Sequence, residues 1–448
     1  MTCFLLVLSV SFVLSFSSAM AQSYGQSETV IKWQYRPQEP IVQVGFGGEI
    51  LPTGAQNVTQ SIRIPGLENR IIPGEPVIPF RTARILIPLG EEIQEIKVLP
   101  GEKKNLGKIL IEPGQDPLPI SFPGNLTITP LNETTYSSME PYPRDVYSVV
   151  GVQEKQGYNI LYINLYPIMY IPKTKDTYYF GTFDLEVKTA PTETLDRGLF
   201  RGSPEDRSHI EKLVENPGQA ATYSGDIAPM GSSPLLNGDC DYVIITNRGL
   251  RDAPGPYNFT ALIETKRTKG LNATIVVVED IYDTYAGVDD QEKIRSFIKD
   301  AYLNNGVSYV LLGGDSDGSV SGGDGWERIV PARGLWAWDY EASPPNIPSD
   351  LYYACLDGNY DYNSNGVYGE PDDGPGGGEV DLMAEVYVGR APVDSYAELA
   401  NFVRKTISYD SANADPYLAE VLMVGEYLGF GGVSDWGGNS LDEIKDGS

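Results

Sequence analysis

The sequence predicts a multidomain α+β chain in which an all-β sandwich is followed by a doubly wound α/β domain. Three observations predict it. The length of 448 residues allows two to four domains, each able to bury its own core without a disulfide framework. From Glu28 to about Lys188, apolar positions alternate or come in short runs bounded by Pro and Gly, which is the punctuation of antiparallel strands. Beyond residue 237, continuous apolar strands are interleaved with stretches of helical period, which is the pattern of parallel strands and crossover helices. The composition agrees: 48 Gly, 33 Pro and 29 Tyr beside 13 Phe favour strands and turns over long helices.

Taken in order, residues 1–21 read as an export signal. Residues 5–16 are apolar apart from serines, too short to span a bilayer, and lead into Ala19-Met20-Ala21, a small-x-small cleavage site. The positive n-region is missing, since no Lys or Arg precedes Lys32. No later stretch reaches the roughly 18 apolar residues of a membrane span, so the mature chain is expected to be secreted or held at the cell surface without a span of its own. Asn-x-Thr sites at Asn57, Asn125, Asn132, Asn258 and Asn272 suit such a location. Residues 22–190 are the sandwich, with strands read at 84–88, 109–111, 158–166 and 183–187.

Residues 191–237 change character, with Arg197, Arg201, Arg207 and Lys212 scattered among Gly, Ser, Pro and Ala. This predicts an exposed linker with a short helix at 208–215, open to proteolytic processing at those four basic residues. Residues 238–415 form the first α/β subdomain. Strands are expected at 241–246, 273–278, 309–312 and 384–388, and a further one at 421–424. The helices between them carry Phe259, Leu262 and Ile263; then Ile294, Phe297, Ile298 and Ala301, entered at Asp289 and Asp290; then Tyr396, Leu399, Phe402, Val403 and Ile407, entered at Asp394 or Ser395.

The charge balance excludes one class of partner. With 33 basic against 61 acidic residues the net charge is −28, which repels nucleic acid phosphates. The insertion between the third and fourth strands holds a different signal. Asp357, Asn359, Asp361, Asn363 and Asn365 place oxygen side chains at every second position, closing on Gly366, and Asp372 stands twelfth counting from Asp361. That spacing wraps oxygens around a hard cation, and the expected cofactor is structural calcium. Asp315, Asp317 and Asp324 follow the third strand among glycines, at the edge where open α/β sheets place their sites. Nucleophilic catalysis is poorly supplied: His209 is the one histidine and lies in the linker. After loss of Cys3 with the signal, Cys240 and Cys355 have no evident histidine partner.

Several segments in order resemble the gingipain family of cysteine peptidases: Ser349-Asp350-Leu351-Tyr352-Tyr353, the Asp/Asn loop, Glu385-Val386-Tyr387-Val388-Gly389-Arg390, Thr406-Ile407-Ser408-Tyr409-Asp410 and Val424-Gly425-Glu426. Pro73-Gly74-Glu75-Pro76-Val77-Ile78-Pro79, Arg84-Ile85-Leu86-Ile87-Pro88 and Pro141-Tyr142-Pro143 resemble that family's β-rich propeptide. The resemblance implies a secreted cysteine endopeptidase zymogen acting on protein or peptide substrates, with a caspase-like catalytic domain of two subdomains and its own propeptide as intramolecular inhibitor. Residues 416–448 then begin the second, catalytic subdomain. The family's Gly-His-Gly turn and later cysteine are not in this sequence, so the α/β domain is expected to be incomplete at its C-terminus and the chain inactive alone. Glu426 matches the acid that orients the family's catalytic histidine, and Asp442 the acid of the specificity pocket in members selective for Arg or Lys. The competing reading is a non-catalytic, calcium-stabilised surface or adhesion protein on the same scaffold.

Overall fold

The computed structural model describes residues 29–44, 59–115, 129–192, 198–224, 232–316, 329–337, 346–374, 380, 382–411, 416 and 420–422. The signal region, Asn57, Asn125, Arg197, Asp317, Asp324, Glu426 and Asp442 lie outside the described residues. Among the described residues no helix is long and apolar enough to cross a membrane.

The amino-terminal part is built from antiparallel sheets. Phe183–Pro191 is flanked by Thr29–Tyr35 and Glu91–Pro100 in one sheet; Glu68–Arg70, Ile78–Leu86, Tyr158–Leu165 and Tyr147–Lys155 follow in that order in another. The inward residues of the two sheets (Ile31, Leu185 and Val187 from the first; Ala83, Ile85, Leu161 and Ile163 from the second) share one core. Two sheets packed on a common core make a sandwich. A third sheet, of Ile168–Ile171, Asp176–Phe180 and Lys103–Lys108, closes a second core with Ile62, Ile78 and Ile111.

The hairpin between Tyr147–Lys155 and Tyr158–Leu165 turns on Gln156 and Gly157, at φ +53° and +79°. Two residues at positive φ give the type I′ turn that matches strand twist, where Asn-Gly is the favoured pair. Glutamine in the left-handed region costs about 1 kcal/mol. Glycine at 157 is doubly required, because a Cβ there would stand 1.9 Å from the backbone nitrogen of Phe200.

The structure corrects the reading of an exposed linker. Over residues 198–224 the chain packs as a strap: Phe200, Ile210, Val214, Ala220 and Tyr223 are buried with Leu86, Tyr158, Ile160 and Tyr162 of the sandwich. The Tyr158 ring lies 4.4 Å from Tyr223 and 5.2 Å from Phe200. The helix within it, Pro204–Leu213, begins where the Ser203 hydroxyl accepts from the Asp206 N–H with proline in the first turn. A few well-spaced apolar residues anchor a segment whose composition is otherwise polar.

Four parallel strands form the α/β sheet, in the order Ala273–Val277, Tyr242–Thr246, Tyr309–Gly313, Tyr387–Ala391. The two central strands are apolar throughout because helices cover both faces. Helix Phe259–Thr268 packs with Tyr396–Ser411, and Val278–Thr284 with Asp290–Asn305; reversal of strand order between right-handed crossovers puts these pairs on opposite faces. Asn258 and Asp289 cap their helices by accepting the N–H of Ala261 and Glu292, and Asp290–Asn305 ends at Gly306, φ +82°. The fourth strand falls at Tyr387–Ala391 rather than 384–388, because Glu385 and Val386 donate their N–H groups to Ala354 O instead of to a ladder. The expected strand at 421–424 is not formed in its described part: Val421 and Leu422 are 78% and 89% exposed.

Candidate functional site

Open α/β sheets carry chemistry beyond the carboxyl ends of their strands, and here an ion-pair network braces that edge. Arg390, near the end of the fourth strand, donates from Nε and Nη2 to the two oxygens of Asp350 at 2.8 and 2.6 Å. Its Nη1 donates to Gly314 O and Val330 O at 2.8 and 2.7 Å. One guanidinium thereby ties together the strand, the turn after the third strand and the start of helix Leu351–Ala354. Asp315, one of the three nominated aspartates, donates its N–H to Val393 O and accepts from Val330 N at its own carbonyl. Gly313 ends the third strand under Phe259; a Cβ would stand 2.6 Å from the ring.

A second bidentate pair joins the insertion to a helix start. Arg333 donates to Asp289 at 2.7 and 2.8 Å and lies over the rings of Tyr352 and Tyr368, at 4.5 and 3.8 Å. Burial works against charge on both groups, yet their mutual hydrogen bonds outweigh it: Arg333 titrates above its usual range and Asp289 below. Arg295 donates to Cys355 O and Gly358 O, fastening the entrance of the Asp/Asn loop.

Within that loop, Asp361 accepts from the N–H groups of Asn365 and Gly366, Asn363 from Asn365, Asn365 from Val367, Asn359 from Asp361, and Asp357 from Gly358. Gly366, at φ +80°, makes the sharp turn at the sixth place. An all-oxygen donor set on such a turn suits a hard cation. Among the described residues, however, no three His, Cys, Asp or Glu side chains form a group able to hold a metal ion. The nominated Asp372 is exposed; the buried neighbour is Asp373, which accepts from Tyr362 N at 2.7 Å and Asn363 N at 3.1 Å. Glu370, also missed from sequence, accepts from Asn365 Nδ2 at 2.8 Å.

The thiols are ill placed for nucleophilic work. Cys240 and Cys355 are both buried. Burial pushes the Cys240 thiol up to about 11, whereas an attacking cysteine needs its thiolate near neutral pH. It lines a cleft of about 460 Å³ with Asp239, Arg267 and Asn272 at the amino edge of the sheet, away from the carboxyl ends of the strands. His209 is partly buried on the strap helix, and desolvation first, then the charge of Lys155, lowers its pKa. Of the proposed processing residues, Arg201 is only partly exposed and paired with Asp206, whereas Arg207 and Lys212 are exposed on helix Pro204–Leu213.

The sheet, its braced edge and the insertion together span one recognised unit, since residues 236–446 match the model of peptidase family C25. The gingipain resemblance is thereby supported over the α/β part. No curated protein matches the chain. Among solved structures, the complex of Porphyromonas gingivalis RgpB pro- and mature domains is similar at 15% identity and TM-score 0.32, covering 42% of this chain and 92% of that one. A structure addressing the zymogenic latency of gingipain K from Porphyromonas gingivalis is similar at 16% identity and TM-score 0.28, covering 38% and 94%.

The C25 segment also holds a residue that sequence reasoning used only as part of a motif. Glu385 is 2% exposed and accepts from Leu356 N at 2.8 Å through Oε2. A carboxylate inside the apolar run Ala384-Glu385-Val386 was the available signal, since a buried charge requires donors.

Proposed function

We propose that this chain is the precursor part of a secreted, gingipain-like cysteine endopeptidase, and that on its own it performs no thiol-dependent hydrolysis. The observation that carries the family reading is the C25 match falling on a parallel sheet whose carboxyl edge is braced by the Arg390–Asp350 pair. The inactive state is supported by the burial of Cys240 and Cys355, with the one histidine on the strap helix. Peptide substrates with Arg or Lys before the scissile bond are the class that Asp442 would select, and Glu426 would orient a catalytic histidine. The purified chain should cleave neither Arg- nor Lys-containing fluorogenic peptides; thiol-dependent hydrolysis abolished by Cys240→Ala or Cys355→Ala would overturn this.

Calcium at the loop of residues 357–372 completes the reading. The oxygens of Asp361, Asn363 and Asn365, set by the Gly366 turn, would supply its ligands, and bound calcium would hold the insertion in place. A site filled at 100 times its dissociation constant adds about 2.7 kcal/mol. Melting with calcium should exceed melting with chelator, and Asp361→Ala should erase the difference; equal melting in the wild type would dismiss the site.

A further inference from the structure

We propose that the hairpin turn Lys155-Gln156-Gly157 is a docking latch that keeps the sandwich bound to the amino edge of the α/β sheet after the chain between them is cut. The inference goes beyond the peptidase reading and does not depend on it.

Four observations converge on this turn. Gln156 adopts a left-handed backbone that Asn or Gly would take more readily, so the glutamine is kept for something other than the turn. It is 5% exposed and makes its hydrogen bonds across the interface: its N–H donates to Glu385 Oε1 at 3.3 Å and its Nε2 to Glu385 O at 3.4 Å. Lys155, 9% exposed, donates from Nζ to Ala384 O at 2.6 Å. Tyr162 adds a contact from its hydroxyl to Met383 Sδ at 3.6 Å. Charged and amide side chains are buried this deeply only when the partner surface supplies acceptors.

The strap reinforces the same edge. Arg201, paired with Asp206, donates to Val307 O at 3.1 Å and Ser308 Oγ at 2.9 Å, just before the third strand, with its guanidinium 4.1 Å from the Tyr302 ring centroid. Residues 307–308 and 383–386 both precede their strands, so these contacts hold the α/β part from the side opposite the carboxyl edge. The partner that fits this surface is therefore the amino-terminal part of the same chain, residues 29–224. The Glu385 carboxylate, which also takes Leu356 N at the entrance of the Asp/Asn loop, is the shared acceptor.

The test uses the full chain with a site-specific protease sequence inserted at residue 228. After cutting, the wild-type pieces should co-elute from a sizing column. The double variant Lys155→Met/Gln156→Gly, whose turn is suited to glycine and whose uncut melting reports its folding, should show at least a tenfold rise in the dissociation constant between the pieces. Amide exchange at Leu356 should rise in the cut, separated variant. Wild-type pieces that part on cutting, or a double variant that stays associated as tightly as wild type, would each overturn the latch.

Discussion

At the scale of the residue, a single missing methyl or a single guanidinium decides whether the carboxyl edge keeps its shape. Gly313→Ala would press a Cβ into Phe259 and to 3.2 Å from Ile244 Cγ2. The expected loss is about 1–3 kcal/mol in urea unfolding, the range of overpacked cores. Arg390→Ala strips Asp350 of its bidentate partner and two carbonyls of a donor, so it should cost on the order of 3 kcal/mol. Arg390→Lys should recover only part of that loss, since an ammonium cannot match the fork. Both are read from the midpoint of denaturant unfolding. Cys240 offers a complementary check: with its thiol pushed up to about 11 by burial, alkylation at neutral pH should be slow in the native chain and fast in denaturant.

At the scale of the element, acid should loosen the joints between helices and insertion. Asp289 is held low by Arg333 against the effect of burial, and Asp410 by Lys266 and Lys269 likewise. A carboxyl depressed in the folded state stabilises fully above its unfolded pKa of about 4 and loses that contribution as pH falls through the folded value. The share of stability these two carboxylates supply should therefore be flat from neutral pH down to about 5 and fall below 4, beneath a smaller loss that starts below about 6.5 as the lowered pKa of His209 favours the unfolded chain; Asp410→Asn should flatten part of the fall below 4, as measured by melting against pH. The helices were legible because Phe259, Leu262, Ile263 and the Asp289 cap are local signals. The central strands were legible because their apolar runs are unbroken. The fourth strand was placed three residues early, since the hydrogen bonds of Glu385 and Val386 to Ala354 depend on an insertion thirty residues away. The strap was misread for a related reason: Phe200 and Tyr223 look solitary in sequence, and only the Tyr158 hairpin gives them a surface to cover. At the Asp/Asn loop the alternating oxygens were legible, but that Asp373 rather than Asp372 is the buried carboxylate depends on which side chain faces inward, which spacing alone does not encode.

At the scale of the whole molecule, the strap changes where a protease can enter. Arg207 and Lys212 are exposed but helical, and Arg201 is held in an ion pair with Asp206, so trypsin should leave residues 198–224 intact until the strap is released. Phe200→Ala, which removes the ring packed edge-on against both Tyr158 and Tyr223, should speed cleavage at Arg207 several-fold in a timed digest; an unchanged rate would mean the strap opens independently of that aromatic cluster. The pairing of Thr29 with Thr189 has a further consequence, in time. The first strand of the sandwich cannot find its neighbour until the ribosome has added some 160 more residues, which at roughly 5–20 residues per second takes about 8–30 s. The α/β strands, each joined to the next through a helix, have far less to wait for once they emerge. Vectorial synthesis therefore completes the strands of the long-range sandwich before the α/β part emerges, so that the Gln156 turn is made well ahead of the segment around Glu385.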